Sequence, residues 1–151
     1  MSQFLSMFSS AGPQAFSKMA CQVAPYFSTI NPLIKDLRKG SATVHVPFAR
    51  EITNHLGTVH AIAMCNAAEL AAGMMTDVSI PAGARWIPKG MTVSYLKKAS
   101  GTLRGIATPM IPLETRETGY DLPVNVDVLD QAGDKVFHAE IRMWMSPKPA
   151  K

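Results

Sequence analysis

Hydrophobic and polar positions change period several times along the chain. Over residues 41–48, Ala42, Val44, Val46 and Phe48 alternate with Ser41, Thr43, His45 and Pro47. A period of two predicts a strand with one buried face. Pro47 belongs at an edge or an end of it, because proline has no N–H to give to a ladder. Residues 49–57 then form a polar turn ending in Gly57. The pattern changes again over residues 58–75, which are rich in Ala, Leu and Met and apolar nearly all round. These are strong helix formers, and a helix without a polar face is buried on most sides. Thr58 is placed to serve as its N-cap or in its first turn.

Strand periodicity returns after the helix. Residues 86–96 end in an alternation of Met91, Val93 and Tyr95, residues 102–111 form a second strand, and residues 122–129 alternate through Val124, Val126 and Val128. The sequence Asp130, Gln131, Ala132, Gly133 reads as a hairpin turn. Residues 135–145 then set Phe137, Ala139, Ile141, Met143 and Met145 inward against His138, Glu140 and Arg142 outward. The expected order is therefore a strand, one buried helix and four strands, all able to pair antiparallel. Such a sheet must bury one face, and the apolar helix is its one adequate partner. The fold class is α+β.

The first 30 residues read as short helical pieces broken at Gly12-Pro13 and near Pro25, with Phe4, Leu5, Phe8, Phe16, Met19 and Val23 at helical spacing. This divides the chain into a helical segment over 1–32 that packs on the domain, one domain over 33–146, and a frayed tail over 147–151.

Composition narrows the function classes. An apolar share of 47% against 17% charged belongs to a globular chain. Ten methionines suit an irregular core or an adaptable apolar pocket. Residues 1–75 carry five Lys/Arg against three Asp/Glu, and residues 76–151 carry ten against eight, so each half is +2 and no stretch is strongly basic. With no basic run and no aromatic-interleaved basic stripe, nucleic acid is not the expected partner. The two cysteines, Cys21 and Cys65, have no metal or redox spacing, which suits a reducing compartment. The opening residues lack a basic, apolar secretory pattern, and no uninterrupted apolar run reaches the length of a membrane span. These features lead to a cytoplasmic expectation. None of His45, His55, His60 and His138 has a paired ligand spacing with cysteines or carboxylates, so no metal is expected.

Within residues 59–75 three side chains are strongly polar: His60, Asn66 and Glu69, of which Glu69 is the one formal charge. Removing a carboxylate from water costs several kcal/mol, so Glu69 needs an edge position, a partner or a purpose. In a dry site a carboxylate becomes a stronger base. Asn66, three residues earlier on the same face, can orient that carboxylate or satisfy a neighbouring backbone group. The N–H groups of Ala61 and its neighbours have no intrahelical acceptor and lie at the positive end of the helix dipole, a site for a developing oxyanion.

The stretch Asn54-His55-Leu56-Gly57-Thr58-Val59-His60-Ala61, with Glu69 nine residues after His60, resembles the signature of hotdog-fold thioesterases of the phenylacetate-pathway and hydroxybenzoyl-CoA type. Those proteins show Asn-x-x-Gly-Thr-x-His-Gly-Gly followed by Asp or Glu at that spacing. The resemblance implies a hotdog fold, an antiparallel sheet wrapped around one long helix, and hydrolysis of an acyl-CoA or acyl-carrier-protein thioester without a cofactor. It implies Glu69 as general base or as nucleophile, the Ala61 N–H as donor to the thioester carbonyl, and Asn54 positioning the thioester or water; His60, in the first helical turn, is a catalytic candidate beside them or a structural residue. Gly57, Thr58, Asn66, Lys97 and Lys98 complete the expected substrate-binding set, the two lysines either neutralising coenzyme A phosphates or forming a solvated pair. A homodimer or a dimer of dimers is implied, with the acidic residue facing substrate held largely at the other subunit's helix start. The chain departs from the pattern where Gly-Gly becomes Ala61-Ile62. It also departs at Trp86-Ile87-Pro88, where some relatives have a hydroxyl.

Two other readings compete. One is a non-catalytic acyl- or lipid-binding hotdog dimer. The other is a hotdog hydratase, whose His-Phe-x-x-x-Pro and Asp-x-Asn-x-x-His patterns are absent. A serine hydrolase fails for want of Gly-x-Ser-x-Gly. The methionine content favours a medium or long acyl chain over a polar aryl group.

Overall fold

The computed structural model describes residues 1–150. Its centre is a helix, α2 (Ala61–Ser79), laid across one six-stranded sheet. The strands are β1 (Leu33–Arg38), β2 (Ser41–Val46), β3 (Ala84–Tyr95), β4 (Leu103–Pro109), β5 (Tyr120–Leu129) and β6 (Lys135–Pro147). Their order across the sheet is β1-β2-β4-β5-β6-β3, every pair antiparallel. Helix α2 touches all six strands. This is the hotdog architecture, with a helical lead-in before it.

The alternation read from the sequence is the alternation of burial. Val124, Val126 and Val128 on β5, and Phe137, Ala139, Ile141, Met143 and Met145 on β6, face α2 and are sealed from solvent. Met64, Leu70 and Met75 of α2 meet them. Asp130 closes the β5–β6 hairpin as expected: Gly133 N–H donates to its carbonyl at 3.0 Å, with Gly133 at φ 86°.

Three boundaries differ from expectation. Residues 33–38 form an additional edge strand, because a bulge between Ile34 and Asp36 puts the buried residues Ile34 and Leu37 three apart and breaks the period of two. Helix α2 starts three residues later than expected, with His60 rather than Thr58 as N-cap, and continues to Ser79 before Pro81. Strand β6 runs to Pro147, and the Lys148 N–H donates to the Gly83 carbonyl at 2.7 Å, so pairing passes residue 146.

The lead-in α1 (Gln3–Val23) is kinked at Gly12, which takes φ 80° and lets Pro13 start the second piece. Buried Phe16 meets Phe4 and Phe8 edge to face at 6.1 and 5.4 Å. The Ser17 hydroxyl donates to the Pro13 carbonyl and accepts from the Ile34 N–H at 2.8 Å, tying α1 to β1. A 3-10 helix, Pro25–Ile30, leads into β1. No helix among the described residues is long and apolar enough to cross a membrane.

Candidate functional site

The loop before α2 is a self-bonded turn. The Asn54 side-chain oxygen accepts from the N–H groups of Leu56 (2.9 Å) and Thr58 (3.2 Å), and the Asn54 amide donates to the Thr58 hydroxyl at 2.9 Å. Gly57, at φ 76°, returns its N–H to the Asn54 carbonyl. The Asn-x-x-Gly-Thr spacing is thus explained locally: Asn54 and Thr58 bond to each other, and only glycine adopts that φ cheaply. Two main-chain bonds fasten the turn, Val59 N–H to Ala99 O and His60 N–H to Ile52 O, both 2.8 Å.

His60 performs a structural task. Its Nδ1 accepts from the Ile62 N–H at 3.0 Å, while its carbonyl accepts from Ala63. That bond places the neutral imidazole proton on Nε2. The Ala61 N–H has no acceptor among the described residues. Beside it, the Ile62 side chain is 53% exposed. The helix start therefore presents one free donor on an accessible surface.

Glu69 lies two turns further along, half-buried, with no hydrogen bond or ion pair among the described residues. Its surroundings follow from the contacts on either side. One turn before it, the Cys65 sulfur lies 3.9 Å from the Tyr95 hydroxyl at the end of β3. One turn after it, Gly73 lies under the Trp86 ring near the start of β3, where an added Cβ would come within 3.0 Å of the indole. Helix α2 and β3 therefore run antiparallel, and Glu69 faces the middle of the strand. Side chains opposite one another in an antiparallel pair share a face. The pairings Trp86↔Met145, Pro88↔Met143, Met91↔Ile141, Val93↔Ala139 and Tyr95↔Phe137 thus turn those β3 residues toward α2. The boundary between α2 and β3 is thus an apolar seam, and the half-buried Glu69 lies along it between the Tyr95 and Trp86 contacts.

Burial pushes the Cys65 thiol up, offset only in part by its contact with Tyr95, so at neutral pH Cys65 is a thiol and not a thiolate. Asn66 does not reach Glu69. Its amide donates to the Thr29 hydroxyl at 3.0 Å, and its buried side-chain oxygen has no partner. Of the two roles expected for Asn66, orienting the carboxylate or satisfying the backbone, neither occurs; it bridges to the lead-in instead.

The two lysines separate. Lys97 is held by Asp134 at 2.8 Å and Asp130 at 3.5 Å on the β5–β6 turn, and the Asp134 bond raises its pKa. Its charge is already matched. Lys98 is exposed, has no ion pair among the described residues, and precedes Ala99, whose carbonyl is bonded at the start of α2.

Sequence reasoning missed Tyr95 and Trp86 as walls of the seam. The signal available was Gly73, a glycine inside a strong helix, which marks a close approach. Recesses of 1030 Å³ at the C-terminal end of α2 and 740 Å³ beside the second half of α1 lie away from Glu69.

Residues 12–145 match the family described as Domain of unknown function (DUF4442). A solved structure of the genomics target APC5556 is 52% identical over 97% of each chain, with a TM-score of 0.86. The thioesterase HI1161 from Haemophilus influenzae is 12% identical, covers 81% of this chain and 82% of its own, and superposes with a TM-score of 0.70. A thioesterase family protein from Silicibacter pomeroyi is 16% identical, covers 87% and 96%, and also gives 0.70. At those identities the likeness is one of fold. No curated protein matches the chain.

Proposed function

We propose, from the premise that this chain belongs to the family described as Domain of unknown function (DUF4442) and has the fold of thioesterases, that it hydrolyses an acyl thioester to the free acid and the thiol of coenzyme A. The observation that carries the reading is Glu69, a carboxylate without a partner in an apolar seam of the central helix. Such a group is an inefficient way to stabilise a fold and a suitable base for water beside an apolar acyl chain.

The chemistry needs few parts. The Ala61 N–H, reinforced by the helix dipole, takes the thioester oxygen as it gains charge. Glu69 removes a proton from water as the water oxygen bonds to the acyl carbon. The tetrahedral intermediate collapses, the C–S bond breaks, and the thiolate leaves and is protonated. In the alternative role Glu69 itself attacks, forming an anhydride that water then opens. Asn54, Gly57, Thr58 and His60 act by holding the helix start in place, and Lys98 is the cation left to meet coenzyme A phosphates.

A second copy of the chain completes the reading. Ala61 and Glu69 are eight residues apart, about 12 Å along the axis, a long span for one carbonyl and one water. Edge strand β3 is 12 residues long, pairs on one side only, and exposes Ile87 and Tyr95, with exposed Leu96 just past its end. An unprotected edge of that length suits pairing with its own copy, which would bring another helix start toward Glu69.

The test is thiol release from acyl-CoAs graded from acetyl to palmitoyl. Turnover that Glu69→Gln lowers by about a hundredfold or more, the scale of a lost general base, supports the reading. Tight acyl binding with no thiol release from any of them would favour the binding dimer instead.

A further inference from the structure

The seam that holds Glu69 has a closed end. Trp86 turns toward α2, and its ring covers Gly73, one turn past Glu69. Its indole Nε1 donates to Asp77 at 3.0 Å, one turn further on. The ring is thus held at its benzo tip, against Gly73, and at its nitrogen. Gly73 favours this approach, since alanine there would press its Cβ against the ring at 3.0 Å and the ring would have to give way. Beyond the ring, Asp77 also lines the 1030 Å³ recess at the C-terminal end of α2, together with Phe4, Val78, Ile80 and Leu113. Glu69, Gly73 and Asp77 follow one another at four-residue spacing, so seam, ring and recess lie in that order along one stripe of the helix.

We propose that Trp86 is the stop that sets acyl-chain length, closing the seam one helical turn past Glu69 and separating it from the recess. The proposal rests on the reading of Glu69 as the working carboxylate and names the specificity of that site. An acyl chain whose carbonyl lies at Glu69 and whose tail follows α2 meets the indole after about 6 Å, room for roughly four to six carbons. The site then takes a short acyl group, shorter than the methionine content alone suggests. The structure accounts for the difference: Met64, Met75, Met143 and Met145 are spent in the buried core, while Met91 lies on the seam. Each methylene forced against a rigid wall costs about tenfold in kcat/KM or more.

The experiment measures kcat/KM for thiol release across acyl-CoAs from two to sixteen carbons (an assay series, about one step per two carbons). Wild type, Trp86→Ala, Trp86→Leu and Glu69→Gln are compared. The expected wild-type profile peaks among short chains and falls steeply beyond. Trp86→Ala moves the peak several carbons longer, with about a tenfold or larger gain for chains the ring had blocked relative to the shortest. Trp86→Leu, which keeps apolar volume in the seam, shows the same direction with a smaller shift and serves if the alanine variant does not fold. An unmoved peak in the folded variants, with turnover still dependent on Glu69, overturns the stop and leaves the hydrolase intact. Absence of Glu69-dependent turnover in wild type overturns both.

Discussion

Helix α2 carries two carboxylates, and their company differs. Asp77 accepts from the Trp86 indole at 3.0 Å and helps hold that ring over the helix. Glu69, eight residues earlier on the same side, has no such bond among the described residues and lies along the helix between the contacts at Tyr95 and Trp86. The same chemical group serves at one place as a fastener and at the other, on the proposed reading, as the base for water. A carboxylate that stabilises the fold shows its partner, as Asp77 does; Glu69, half-buried, shows none among the described residues.

Substitutions separate the two. The largest effect is expected at Glu69: Glu69→Gln lowers thioester turnover by about a hundredfold or more while thermal unfolding moves little, because no folded-state bond is lost. Next is Asp77→Ala, which removes an acceptor from the Trp86 N–H and is expected to cost about 1–3 kcal/mol in denaturant unfolding without abolishing turnover of the preferred substrate. His60→Ala removes the cap on the Ile62 N–H and should cost about 1 kcal/mol, with loss of activity in proportion to disorder at the helix start; amide exchange of Ile62 and Ala63 reads this directly.

The smallest effect belongs to a third carboxylate, on the outer face of the sheet. Partial burial raises the Asp127 pKa, but hydrogen bonds from His138, Lys135 and Asn125 outweigh it and hold the carboxyl below its ordinary range. The folded pKa lies below the unfolded one, so in that interval the unfolded chain binds more protons. Asp127 therefore stabilises the fold above the ordinary carboxylate range and loses that contribution as pH falls through the interval. Unfolding measured between neutral and acid pH should show a shallower acid limb in Asp127→Asn.

Much of this fold was legible because period and burial coincide: the β5–β6 hairpin and the apolar central helix were readable from Val124 through Met145 and from residues 58–75. What was not legible depended on departures from periodicity. A single bulge hid β1 by spacing Ile34 and Leu37 like a helix. The helix start moved because the bonds that decide it join distant residues, Val59 to Ala99 and His60 to Ile52. At the candidate site, Glu69 stood out by its charge and by its spacing from His60, and Ala61 by its place in the first turn of the helix. The commitment of Lys97 to Asp130 and Asp134, and of Asn66 to Thr29, could not be read from spacing, since each partner lies more than thirty residues away. Motif residues that bond to one another, such as Asn54 and Thr58, look the same in sequence whether they touch substrate or merely shape the loop that does.

The most direct test of the contrast on α2 is kcat/KM for the preferred acyl-CoA in Glu69→Gln and Asp77→Asn, side by side with wild type. Both substitutions remove one negative charge from the same helix, and asparagine can still accept from the indole. The account predicts a loss of about a hundredfold or more for the first and a change within about threefold for the second, less than the effect of one general base. Equal losses, or a Glu69→Gln enzyme as fast as wild type, would contradict it.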